Sequence, residues 1–291
     1  MSLQITDVTP RDGLQDAMGY VPLAEKIALI EGLVQAGLTS IEATAFVHPK
    51  WSPLVSDADI LIPQLRHLDA EWIALVPNDY GLQRAIRAGV TTITLVVSAS
   101  ESHNQKNLNR SRADSLALLS IVTTRAHDAG LRVRGAISTA FDCPFEGRVP
   151  LSSVMTVAEK YLAMGVDEIG LADTLGTAHP ALVKERIVAL SSLCGPVPLG
   201  LHLHDRYGWA LANVAIAFEY GVRHFESALG GLGGCPYAPG AAGNLDTERL
   251  VQFFMAQGEN LCVDLDRLQS VRQRLFTVLS QHLSTPSAEI R

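Results

Sequence analysis

The sequence predicts a (β/α)8 (TIM) barrel, on three observations. A local pattern recurs five times, as QAGLTSIEA (35–43), RAGVTTITL (87–95), DAGLRVRGA (128–136), AMGVDEIGL (163–171) and EYGVRHFES (219–227). Each copy begins where a helical pattern ends, reaches a glycine suited to the left-handed position after a helix, and enters a β-type run. Three more β-type runs, at 3–8, 71–76 and 198–204, bring the number of strands to eight. The whole alternation fits within about 250 residues, the usual span of such a barrel.

The predicted strands are 3–8, 40–45, 71–76, 91–98, 132–138, 167–172, 198–204 and 223–228. Between them lie amphipathic segments such as AEKIALIEGLVQA (24–36), SLALLSIVTTRAHDA (115–129) and the stretch 180–193. Residues beyond about 246 read as extra helices, and no Pro/Ser linker divides the chain, so one catalytic domain over 1–291 is expected. A doubly wound open sheet is the alternative. It is weakened in its dinucleotide-binding form, because no GxGxxG follows the first strand.

Composition narrows the function classes. The chain has 291 residues, 47% of them apolar and 18% charged, as expected of a chain with a substantial core. A net charge of −7 argues against nucleic-acid binding, which calls for a basic surface. No run of 18 apolar residues suggests a membrane span. The N-terminal residues MSLQITDVTPRDGLQ lack the pattern of a secretory or transit signal. Cys143, Cys194, Cys235 and Cys262 are widely spaced with no CxxC pair, so a reduced, cytoplasmic chain is expected. Cys143 and Cys194 read as packing residues.

In such a barrel the chemistry lies where strands end and βα loops begin. The first strand ends in TPRDGLQ, with Arg11, Asp12 and Gln15. The second carries Glu42, the sixth runs into Asp173, and the seventh ends in HLHD, with His202 and His204. After the eighth comes GGLGGCPYAPGAAGN (230–244), a loop holding six glycines, Cys235 and a final Asn244. Residues i and i+2 of a strand face the same side, roughly 6.5–7 Å apart, so His202 and His204 can share one metal. Barrel closure sets the first, seventh and eighth strands side by side, which brings Asp12 and Asn244 toward the histidines. The mixed N/O set favours Mg²⁺ or Mn²⁺, with Co²⁺ or Zn²⁺ open, and leaves about two octahedral positions for substrate oxygens. Arg11 reads either as a functional cation or as an ion-pair partner of Glu42 or Asp173. His48, His67, His103, His127, His179, His224 and His282 have no comparable geometry and read as surface or structural residues.

The segments TPRDGLQ, IEATAFVHPKW, SASESHNQKNLN, DCPFEG, LADTLGT, HLHDRYGWALAN and GLGGCPYAPGAAGN resemble 3-hydroxy-3-methylglutaryl-CoA (HMG-CoA) lyases, from about residue 3 to residue 252. An Arg-Asp-Gly-x-Gln start with a later His-x-His also marks the wider metallolyase group of isopropylmalate and homocitrate synthases and hydroxy-oxovalerate aldolases. The cysteine-bearing loop is similar to that of the CoA lyases. The resemblance implies divalent-metal ligands at Asp12, His202, His204 and Asn244, and an enolate-steadying arginine at Arg11. It implies a catalytic loop cysteine at Cys235 and supporting acids at Glu42 and Asp173. Substrate contacts are implied at Arg11, Gln15, Asn107 and the positions of Ala45 and Gly170, where the family usually has serine. The implied activity is retro-Claisen cleavage of an acyl-CoA, in a homodimer or larger homo-oligomer, in pathways such as leucine breakdown. The two missing hydroxyls leave the acyl group open, and a synthase or aldolase of the same group is the alternative.

Overall fold

All five glycines of the recurring pattern adopt positive φ: Gly37 (100°), Gly89 (92°), Gly130 (79°), Gly165 (78°) and Gly221 (92°). Each terminates a helix in the left-handed region that a Cβ disfavours. Gly37 is also fixed by packing, since a Cβ there would lie 1.9 Å from the carbonyl oxygen of Cys262. The computed structural model describes residues 2–15, 21–48, 50, 55–233 and 242–282.

The strands are β1 (Gln4–Asp7), β2 (Ser40–Ala45), β3 (Glu71–Leu75), β4 (Thr92–Ser98), β5 (Arg132–Ser138), a short pair β6 (Asp142–Cys143) and β7 (Gly147–Arg148), then β8 (Glu168–Asp173), β9 (Leu199–Leu203) and β10 (His224–Ser227). All but β6 and β7 join a closed parallel barrel in the order β1-β10-β9-β8-β5-β4-β3-β2. The eight barrel strands match the predicted ones within a residue or so at each end. The predictions did not include the antiparallel pair β6–β7, whose two-residue strands are too short for any periodicity to show.

Helices α1 (Leu23–Gln35), α2 (Ala58–Leu65), α3 (Asp79–Ala88), α4 (Glu101–Leu108), α5 (Arg112–Asp128), α6 (Leu151–Met164), α7 (Pro180–Cys194) and α8 (Ala210–Glu219) alternate with the strands. They are followed by α9 (Thr247–Ala256) and α10 (Leu265–His282). The main core lies between helices and barrel wall, where Ile30, Leu33, Ile41, Val133, Ile137, Phe225 and Phe254 are buried. Cys143 and Cys194 are buried as well. No helix among the described residues is long and apolar enough to cross a membrane.

The lower part of the barrel's interior is polar. At its lower end Thr6 bonds Ser40 (2.8 Å) and His224 (2.7 Å), while Thr92 donates to Glu71 (2.7 Å). Higher up, Arg134 donates to Glu168 (3.1 Å) and Glu226 (2.5 Å), and His224 contacts Glu168. Buried charges persist only when paired and hydrogen-bonded, as these are. This network is the floor on which the ligand-bearing strand ends stand.

Asp7 lies outside that floor and is fully buried. Burial raises its carboxyl from the usual 3.8 to about 6, although Thr9 and Thr247 hydrogen-bond to it. Its folded pKa exceeds its unfolded one, so it favours folding below about pH 4 and that contribution is lost as pH rises toward about 6. Replacing Asp7 with asparagine should therefore raise stability relative to the parent by about 2–3 kcal/mol more at pH 7 than at pH 4. Denaturant titrations at the two pH values measure this, and a pH-independent difference would rule it out.

Candidate metal centre and active-site cavity

β1 ends in a tight turn over Thr9–Gly13, in which the amides of Arg11, Asp12 and Gly13 all donate to the Val8 carbonyl (3.2, 2.8 and 3.1 Å). The turn aims Arg11 and Asp12 into the barrel mouth. Period-two alternation aims His202 and His204, at the end of β9, into the same space. Across the mouth, Asn244 bridges to His204. Asp12, His202 and His204 each offer one ligand atom, all within 4.8 Å of one another.

Each histidine is oriented by its Nδ1. His202 Nδ1 lies 2.7 Å from Glu226 Oε2, and His204 Nδ1 lies 2.6 Å from the Ala242 carbonyl. With both Nδ1 atoms serving as donors, the two Nε2 lone pairs converge 3.1 Å apart. Two cis ligands of an octahedral Mg²⁺ site stand about 3.0 Å apart, given bonds of about 2.1 Å. Asn244 donates through Nδ2 to Asp12 Oδ2 (2.8 Å) and to the Leu232 carbonyl (2.8 Å), which turns its Oδ1 the other way. That Oδ1 is buried and has no hydrogen-bond partner. An orphaned amide oxygen beside two convergent imidazole nitrogens and a carboxylate suits a divalent cation. Gly233 permits this approach, because a Cβ there would lie 2.6 Å from Asn244 Nδ2.

Electrostatics reinforce the donor set. Burial would raise Asp12, but Arg11 and the two histidines hold its carboxyl below the ordinary range. Burial and the neighbouring His202 push His204 down to about 4, which keeps its imidazole neutral, the form that ligates. Burial also works against the charge on Arg11, yet Glu42 and Asp12 raise its pKa above the ordinary value. Arg11 donates from Nε to Glu42 Oε2 (2.6 Å) and from Nη1 to Asp12 Oδ1 (2.5 Å). The ion pair with Glu42 and the place at the mouth therefore coexist.

The remaining candidates separate clearly. A cavity of about 780 Å³ is lined by Arg11, Asp12, Gln15, Ala45, Asn107, Gly170, His202 and His204. Glu42 lies behind Arg11, buried and outside the cavity lining. A bulge between Glu42 and Thr44 shifts the alternation, so that Glu42 reaches Arg11 while Ala45 faces the cavity. Asp173 points away from it. Gly170 and Ala172 take the inward positions of β8, and the next residue alternates outward. Its carboxylate accepts the amides of Thr177 (3.2 Å) and Ala178 (3.0 Å) and so shapes the loop after β8. Cys235 lies outside the described residues. Glu226 was not foreseen. It lines the cavity, orients His202 and pairs with Arg134. A glutamate two residues after a histidine in HFES carries no motif; only the β9–β10 register brings it opposite His202.

A family model described as HMGL-like matches residues 2–275. The chain belongs to the HMGL-like family. The hydroxymethylglutaryl-CoA lyase YngG of Bacillus subtilis is 38% identical over 98% of this chain and 96% of its own length. The mitochondrial hydroxymethylglutaryl-CoA lyase of Rattus norvegicus is 39% identical over 99% of this chain and 89% of its own. The solved HMG-CoA lyase of Acinetobacter baumannii, in complex with coenzyme A and 3-methylmalate, superposes with a TM-score of 0.91 at 37% identity, covering 100% of this chain and 97% of that one. These three relatives carry one activity in their names.

Proposed function

We propose that the chain is a divalent-metal-dependent carbon–carbon lyase that cleaves HMG-CoA to acetyl-CoA and acetoacetate. The observation that carries this reading is the set Asp12, His202, His204 and the orphaned Asn244 Oδ1, with Arg11 beside it in one cavity. The relatives' names and the coenzyme A held by the Acinetobacter baumannii protein support an acyl-CoA substrate. Asp12, His202, His204 and Asn244 would hold Mg²⁺ or Mn²⁺, which acts when bound as a Lewis acid toward the substrate's hydroxyl.

The protein's own groups divide the rest of the work. Asp12, the carboxylate at this corner, takes the 3-hydroxyl proton, since both imidazoles have Nδ1 donating and Nε2 turned to the metal. The C2–C3 bond then breaks, its electron pair passing to the thioester oxygen. Arg11, held by Glu42, stabilises that oxygen as its charge develops. Cys235 delivers a proton to C2 of the enolate.

Assaying acetyl-CoA and acetoacetate released from HMG-CoA, with Mg²⁺ or Mn²⁺ and after chelation, tests the reading. Condensation without cleavage would point instead to a synthase. Cys235→Ser should lower turnover by orders of magnitude with metal content unchanged, and unaltered turnover would remove Cys235 from the proton transfer. One observation favours a wider substrate range. A Cβ at Gly170 would find only the Ala136 Cα, at 3.9 Å, so the wall there is open. A series of 3-hydroxy-3-alkylglutaryl-CoA esters measures how much bulk it accepts.

A further inference from the structure

One buried histidine away from the metal corner lines the same cavity. His103 is 2% exposed and sits in the first turn of α4. Ser100 caps that helix by accepting the His103 amide (3.1 Å). Asn104 accepts the Ser98 amide (3.1 Å), which ties the helix to the end of β4. The ring is thus fixed on a rigid element. Its Nδ1 lies 2.6 Å from Ser98 Oγ, and Ser98 Oγ lies 2.7 Å from Ser138 Oγ. Ser138 lines the cavity, and His103 Nε2 is buried with no partner.

This chain of groups has a direction. Burial pushes His103 down to about 4, so near neutral pH only one ring nitrogen carries hydrogen. A hydrogen on Nε2 would be a buried donor without an acceptor, the rarer and costlier kind of orphan. With the hydrogen on Nδ1, His103 donates to Ser98, Ser98 donates to Ser138, and the Ser138 hydroxyl is left to donate into the cavity.

Strand register places that donor. Glu226 pairs with His202, and His202 with Ala172. Ile137 pairs with Leu171, so Ser138 follows at the level of Ala172. Ser138 and His202 therefore share a layer, two strands or about 10 Å apart. Next to Ser138 on β5 and β8, the cavity-lining Ala136, Gly170 and Ala172 have no polar side chain; of the polar lining residues further along, Arg134 is paired with Glu168 and Glu226, and Thr174 Oγ1 accepts the Thr139 amide (2.9 Å). The spacing suits an acyl group with one oxygen at the metal corner and an acidic end a few bonds away.

We propose that Ser138 Oγ donates to the carboxylate at the far end of the substrate's acyl group, and that His103, acting through Ser98, is the positioning residue that fixes the direction of this donor. The identity of the acyl group rests on the lyase reading above; the preference for a terminal carboxylate is tested separately from it.

Glutaryl-CoA and butyryl-CoA differ only in that carboxylate, and neither has the 3-hydroxyl needed for cleavage. Titration calorimetry on the metal-loaded protein gives the ratio of their dissociation constants. The parent should bind glutaryl-CoA at least about tenfold more tightly, the scale of one hydrogen bond to a charged group. Ser138→Ala, Ser98→Ala and His103→Phe should each bring the ratio below about threefold without changing butyryl-CoA affinity, and Ser138→Thr should restore it. Ser98→Ala removes a single oxygen, so it decides the matter if His103→Phe does not fold. Equal affinity for both esters in the parent, or a tenfold ratio surviving in Ser98→Ala, would overturn the proposal. Failure of the lyase reading shows instead as absent cleavage of HMG-CoA by the parent, with the glutaryl preference intact.

Discussion

His204→Ala is expected to remove metal and turnover together. The parent should carry close to one divalent ion per chain and the variant close to none, with turnover lower by at least about a thousandfold. Two losses combine in this one change. The variant lacks one of the two nitrogens that converge at 3.1 Å, and it also lacks the hydrogen bond from Nδ1 to the Ala242 carbonyl. That bond anchors the segment that delivers Asn244, so a second ligand loosens with the first. Elemental analysis of dialysed protein, together with an acetyl-CoA release assay, reads both effects. Full metal content in a folded His204→Ala protein would refute the ligand assignment.

Arg11→Lys is expected to keep metal and lose rate. A lysine retains the charge but not the planar fork that reaches Glu42 through Nε and Asp12 through Nη1. The cation can then serve one carboxylate at a time, and its placement toward a developing oxyanion is lost. Loss of one preorganised donor of this kind commonly costs about 10²–10³ in kcat. Metal stoichiometry should stay near that of the parent, which separates this variant from His204→Ala. Arg11→Met would carry a further penalty. It strands the buried Glu42 carboxylate without its partner, an error worth about 3–5 kcal/mol of stability. A kcat within threefold of the parent in Arg11→Lys would show that this arginine only pairs ions.

The barrel was legible because helix-ending glycines mark each αβ unit locally, and Gly37, Gly89, Gly130, Gly165 and Gly221 all have the positive φ expected of them. The His-x-His pair was legible for a similar reason, since period-two alternation is a short-range rule. What escaped depends on neighbours distant in sequence. Glu226 gains its role only through pairing with His202 across two strands. His103, read as surface or structural, is buried at the cavity because an N-capped helix turns it inward. Asp173 stands one residue past the inward positions of β8, and a one-residue step in a strand reverses the face. The bulge near Ala43 does the opposite for β2 and brings Ala45 to the cavity against simple alternation from Glu42.

Barrel closure also has a kinetic meaning. Asp12 and Asn244 are 232 positions apart, yet they are joined by one 2.8 Å hydrogen bond. Asp12 stands at the end of β1, Asn244 follows β10, and β1 pairs with β10 to complete the ring. The candidate ion-binding corner thus lies across the seam that closes the ring. A chain with seven of the eight barrel strands in place has Asp12 and both histidines, but not Asn244 or the β1–β10 pairing that completes the ring. An ion held by Asp12, His202, His204 and Asn244 would tie the two edges of that seam together and slow their parting.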